Sequence, residues 1–121
     1  MTDIQIALSD LMLPDKGKTI KVVTLAGQLD ESNVDESVKT VYDAIATAAQ
    51  GMSFIIDFEN LVYLNSKAVG YITDWYGKIT AKQGKMVLTK LPANINDILT
   101  VVGLTRIVPV AQTMEEAKSL A

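Results

Sequence analysis

The chain of 121 residues contains no cysteine and no histidine. The first absence excludes disulfides, thiolate metal sites and a cysteine nucleophile. The second removes the usual zinc ligand and the usual general base at neutral pH, so most familiar hydrolase chemistry is excluded by counting. Aromatic residues make up 6%, with a single tryptophan, and arginine occurs once, at Arg106. The ten lysines are scattered from Lys16 to Lys118 without forming a basic stripe, and the net charge is −3. That balance disfavours direct nucleic-acid binding. No apolar run approaches the ~18 residues of a membrane span, and MTDIQIALSD lacks the charged start and apolar run of a signal peptide. The expectation is a cytoplasmic protein without membrane insertion.

Glycine is sparse too. Its seven copies never stand closer than seven positions apart, so neither G-x-G-x-x-G nor G-x-x-x-x-G-K-[ST] occurs. A phosphate cradle needs clustered glycines to let backbone amides approach the anion. No cofactor or metal is expected.

What is present is 49% hydrophobic and 21% charged, the balance of one folded domain over residues 1–121. Residues 3–8 and 19–26 read as strands, with Pro14, Asp15, Lys16 and Gly17 as turn chemistry between them and Gly27 ending the second. Val34, Val38, Val41, Ile45 and Ala48 recur at helical spacing and predict a helix over 32–49, capped by Ser32, with Asp35 and Glu36 favoured by the helix dipole. Phe54, Ile55 and Ile56 form a buried strand. A second helix over 66–82 buries Ala68, Val69, Ile72, Trp75, Tyr76 and Ile79, with Trp75 at the core edge. Met86, Val87 and Leu88 start another strand; Pro92 opens a helix carrying Ile95, Ile98, Leu99 and Val102, closed by Gly103. A strand around 107–110 precedes a helix opened by the capping box Thr113-x-x-Glu116. This order predicts an α/β domain with one mixed, mainly parallel sheet of four to five strands and about four amphipathic helices. Functional groups in such sheets favour strand-to-helix loops, here 27–32 and 57–66.

Asp30, Asp57 and Glu59 are candidates for paired carboxylates or magnesium ligands in a small enzyme; the plainer reading is solvated loop carboxylates. At 100° per residue, Ser66, Gly70, Thr73 and Gly77 form a strip of small residues beside the apolar face of the second helix. Interior glycines each cost a helix roughly 1 kcal/mol, so the strip serves either a partner's backbone or a neighbouring helix. Lys67, Tyr71, Asp74 and Lys78 form the next face, with Asp74 and Lys78 an ordinary i,i+4 pair.

The segment from Phe54 to Gly70 carries a buried strand, a loop and then Asn65-Ser66-Lys67-Ala68-Val69-Gly70. It resembles the STAS domain, the family of sulfate transporter domains and anti-sigma factor antagonists, in which a polar residue, a serine, two small residues, an aliphatic residue and a glycine follow a strand. Gly27-Gln28-Leu29-Asp30, Gly103-Leu104 and the segment 113–117 resemble further family motifs in the same order. Asn65 stands where aspartate is common, and Lys67-Ala68 replace a small residue and glycine. The resemblance implies a regulatory module rather than an enzyme: an anti-sigma factor antagonist whose unmodified form binds an anti-sigma factor. That partner would be a serine kinase which phosphorylates Ser66, and a serine phosphatase would restore binding. Asp30, Asn65, Lys67, Gly70, Tyr71 and Thr73 would then meet the partner, with Ser66 exposed at a helix start near the 27–32 loop. The chain itself would be a monomer or weak dimer. The alternative within the family is a STAS subunit of a larger assembly, a stressosome-like scaffold or lipid-transport complex, without a phospho-switch.

Overall fold

In the computed structural model, which describes residues 3–13 and 16–121, the first strand β1 (Ile4–Leu13) folds back on β2 (Lys18–Leu29) as an antiparallel pair, from Ile4↔Gly27 to Leu13↔Lys18. Of the turn residues expected between them, Pro14 and Asp15 lie outside the described residues, and Gly17 takes φ +63. Next come α1 (Val34–Ser37), α2 (Lys39–Thr47), β3 (Ser53–Leu64), α3 (Ser66–Ala81), β4 (Met86–Thr89), α4 (Ala93–Val101), a 3-10 turn (Leu104–Arg106), β5 (Val110–Ala111) and α5 (Met114–Leu120). The sheet runs β1-β2-β3-β4-β5, parallel throughout except for its first pair. The expected mixed, mainly parallel α/β architecture is the observed one.

Alternation along each strand divides the core. One face sets Val23, Leu25, Phe54, Ile56, Met86 and Leu88 against α2, α3 and α4, through residues such as Val41, Ile72, Trp75 and Leu99. The other sets Ile20, Val22, Ile55, Val87 and Ala111 against Ala117 of α5 and the following Ala121. Each fully buried aliphatic contributes about 1.5–3 kcal/mol relative to exposure. Trp75 is completely buried and belongs to the centre of the larger cluster rather than its edge. Tyr76 is only half-buried, and Val102, beyond the end of α4, is exposed.

Several boundaries differ from the sequence reading, each for a local reason. Gly27 does not end β2; the strand runs two residues further, and φ +108 at Gly27 allows a close approach in which a Cβ would sit 2.3 Å from the Asp3 carbonyl oxygen. The segment 57–64 is strand, not loop. Relative to β2 it carries one extra residue between Asp57 and Asn60 and another between Leu61 and Tyr63, so Phe58, Leu61 and Leu64 all reach the core at spacings of three. The helix expected over 32–49 is two pieces that meet at Val38, where the Val41 N–H bonds the Val38 carbonyl. Its cap position is Asn33, not Ser32, whose amide and hydroxyl both bond Asp30 Oδ1. The strand expected around 107–110 shrinks to Val110–Ala111, preceded by the 3-10 turn. The capping box forms with a variation: Thr113 Oγ1 accepts the Glu116 N–H, while Glu116 Oε1 accepts the N–H of Gln112.

Candidate functional site

The parallel pairing of β2 with β3 ends at Leu29↔Leu64, so the residues that follow each strand emerge side by side. After Leu29 comes the turn built on Asp30. Its carbonyl accepts the amides of Asn33 and Val34, its N–H bonds Asn33 Oδ1, and Asn33 Nδ2 donates to the Gln28 carbonyl. Asp30 is therefore a half-buried organiser of this turn. After Leu64 comes one residue, Asn65, and then α3. The Asn65 N–H donates to the Leu29 carbonyl at 3.0 Å, tying the two loops together, and Asn65 Oδ1 caps α3 by accepting the Ala68 N–H at 2.9 Å.

Ser66 is the first residue of α3. It is exposed, and its hydroxyl makes no hydrogen bond among the described residues. The Asn65 side chain takes the Ala68 amide and the Asn65 carbonyl takes the Val69 amide. The amides of Ser66 and Lys67, in the first turn, form part of the positive end of the helix dipole.

Gly70 and Thr73 lie on the solvent side of α3. A Cβ built on Gly70 or Gly77 would meet no atom within 4 Å, so no helix of this domain covers the strip among the described residues. Of the two readings of the small residues, packing against a neighbouring helix is not what the fold uses.

Lys67 and Tyr71 lie beside Gly70 on the flank of α3 that faces α1, and their partner is a residue the sequence places only by its helix dipole. Asp35 on α1 accepts from Lys67 Nζ at 2.9 Å and from Tyr71 Oη at 2.6 Å. Tyr71 meets the ring of Tyr42 edge-on, with centroids 6.0 Å apart, and Tyr42 Oη donates to Asp74 at 2.5 Å. Asp74 thus pairs with Tyr42 across α2 and α3 rather than with Lys78. The Lys67 and Tyr71 hydrogen bonds hold the Asp35 carboxyl below its ordinary range, and Asp35 in turn raises both Lys67 and Tyr71. Burial, followed by the bond to Asp74, raises Tyr42. An open depression of about 370 Å³, lined by Tyr42, Lys67, Gly70, Tyr71 and Asp74, lies over this clasp.

The three candidate carboxylates do not converge. Asp57 lies within β3, level with Thr24 of β2, and Asp30 lies beyond the end of β2. Asp57 is buried rather than solvated. Its Oδ1 accepts the Glu59 N–H, and Lys90 Nζ stands 3.8 Å from Asp57 and 3.6 Å from Glu59. That arrangement is an ion cluster between β3 and the end of β4. No helix among the described residues is long and apolar enough to cross a membrane.

Comparison with known proteins agrees with the fold. An anti-sigma F factor antagonist of Paenibacillus polymyxa is 26% identical over 91 residues, covering 75% of this chain and 77% of the relative. Among solved structures, an anti-sigma factor antagonist from Mycobacterium paratuberculosis superposes with a TM-score of 0.83 at 16% identity, covering 98% of this chain and 93% of that one. The anti-sigma factor antagonist SpoIIAA in its unphosphorylated form gives a TM-score of 0.73 at 24% identity over 94% and 95% of the two chains. SpoIIAA of Bacillus in its phosphorylated form gives 0.66 at 22% over 95% and 100%. The family model for the STAS domain matches residues 14–117, and the chain belongs to the STAS domain family.

Proposed function

We propose that this protein is an anti-sigma factor antagonist, a cytoplasmic binding module that a serine kinase switches off at Ser66. The observation that carries the reading is the state of Ser66: an exposed, unbonded hydroxyl on the first turn of α3, held in place by the Asn65 cap. The relatives are named as anti-sigma factor antagonists, and one is known in a phosphorylated form.

In the unmodified state the anti-sigma factor docks over the start of α3. Gly70 and Thr73 offer it a surface without bulky side chains, and Asp30, Asn65, Lys67 and Tyr71 form the polar surround. Phosphoryl transfer depends on placing the acceptor oxygen in line with the γ-phosphorus, and the short Asn65 connection fixes where that oxygen stands. The kinase brings magnesium and ATP; this chain supplies only the nucleophile. The phosphate adds about −1.5 to −2 charges. The dipole of α3 tolerates them there, but an interface that closes over them must desolvate charge without a matched partner, and the complex separates. A serine phosphatase reverses the step.

Incubation with the cognate anti-sigma factor kinase and magnesium-ATP, followed by intact-mass spectrometry and peptide mapping, tests the assignment. One phosphate on Ser66 is expected. Ser53 is excluded by burial, and the Ser32 hydroxyl is engaged by Asp30. A protein left unmodified by a kinase proven active would favour the scaffold or lipid-transport subunit.

A further inference from the structure

The two edges of the sheet are protected very differently. β5 is two residues long and follows Pro109, which blunts it. β1 is ten residues long, seven of them apolar, and contains no lysine, arginine, proline or glycine. Its one charge, Asp10, is compensated by Lys21 at 2.6 Å. Among the described residues no strand pairs with its outer side.

The hydrogen-bond pattern identifies which groups that edge presents. The Asp3 carbonyl accepts the Gln28 N–H at 2.9 Å, one step beyond the Ile4↔Gly27 pair, and the register then runs without a shift to Leu13. Antiparallel ladders alternate, so the odd-numbered residues of β1 bond β2. Ile4, Ile6, Leu8, Asp10 and Met12 turn their N–H and C=O groups outward. The same residues lie on the side of the sheet that faces the helices, where Ile4, Ile6 and Leu8 are only half-buried and Met12 is exposed.

We propose that β1 is a self-association edge that pairs antiparallel with β1 of a second copy of this chain, making one continuous sheet across a two-fold axis. A register centred on Leu8 satisfies the outward groups of all five residues, with about ten hydrogen bonds at two per pair. It sets Ile4 opposite Met12 and Leu8 opposite Leu8 on the helical side, extending the half-covered apolar rim. Ala7 opposite Ser9 on the other side brings only small residues together. Asp10 meets Ile6, not a second carboxylate. Because the pairing is isologous, it uses up the edge and stops at two copies.

The test is amide hydrogen exchange with light scattering, on the full chain from micromolar to millimolar concentration. The expected mass rises from 13.1 kDa toward twice that value. The amides of Ile6, Leu8 and Asp10 should gain at least tenfold protection as it rises, while those of Ala7, Ser9 and Leu11 stay protected throughout. Ala7→Lys/Ser9→Lys places four ammonium groups at the axis on exposed positions and should hold the protein monomeric with an unchanged circular dichroism spectrum. Leu8→Pro, which removes an outward N–H and no bond to β2, should do the same. A constant monomer mass, protection independent of concentration, assemblies larger than two, or dimers that persist in both variants would each overturn the proposal.

Discussion

Lys67 Nζ stands 2.9 Å from Asp35, 32 residues away in the chain, and this contact binds the first turn of α3 to α1 directly beside Ser66. Tyr71 shares the same carboxylate. The side chain beside Ser66 is therefore held toward α1.

That clasp has a pH window. Asp35 ionises below its ordinary 3.8, so its contribution is complete above that value and is lost as pH falls through the lower folded value. Tyr71 ionises above its ordinary 10.0, so its contribution is complete below that value and disappears as pH rises through the higher folded one. Tyrosine titration followed by NMR should show Tyr71 ionising later than a free tyrosine. Asp35→Asn should bring it back toward 10.0. An unchanged Tyr71 titration in that variant would mean the hydrogen bond is not formed in solution.

Gly70 separates stability from binding. Its position is mid-helix and exposed, with open space where a Cβ would go. Gly70→Ala should stabilise the protein by about 1 kcal/mol in urea unfolding and weaken anti-sigma factor binding in calorimetry. A variant that binds as well as the parent would remove this strip from the interface.

Gly27→Ala should act in the opposite direction. Positive φ and a backbone oxygen 2.3 Å from the new Cβ leave no room for it. The expected loss is more than about 2 kcal/mol, read as a lower urea midpoint; a midpoint equal to the parent's would contradict the close approach of Gly27 to Asp3.

Asn65→Ala removes the side chain that bonds the Ala68 N–H. Loss of such a cap costs about 1 kcal/mol. Asn65→Asp keeps an acceptor at the positive end of α3 and should retain or improve stability. Equal thermal midpoints for Asn65→Ala and the parent would show that the cap contributes nothing.

The helices and the order of elements were legible in the sequence because burial leaves a periodic trace. Ala68, Val69, Ile72, Trp75 and Ile79 mark α3, and its start at Ser66 coincides with the expected one. The second half of β3 left a misleading trace, since a bulged ladder sends Phe58, Leu61 and Leu64 inward three apart. Gly27 reads as a terminator because its actual use, close approach to Asp3, depends on a strand more than twenty positions away. The contact of Asp35 with Lys67 and Tyr71 has no local signature, because its partners stand 32 and 36 residues away in the chain and are joined only by the tertiary fold. Residues of the site that lie next to each other in the chain were visible; those joined by packing were not.

The central claim is that charge at Ser66 controls binding, and titration calorimetry against the cognate anti-sigma factor measures it most directly. Unmodified protein and Ser66→Ala should bind with equal affinity, whereas Ser66-phosphorylated protein and Ser66→Asp should bind at least about tenfold more weakly, a difference of about 1.4 kcal/mol. Equal affinity of the phosphorylated and unmodified forms would contradict the switch.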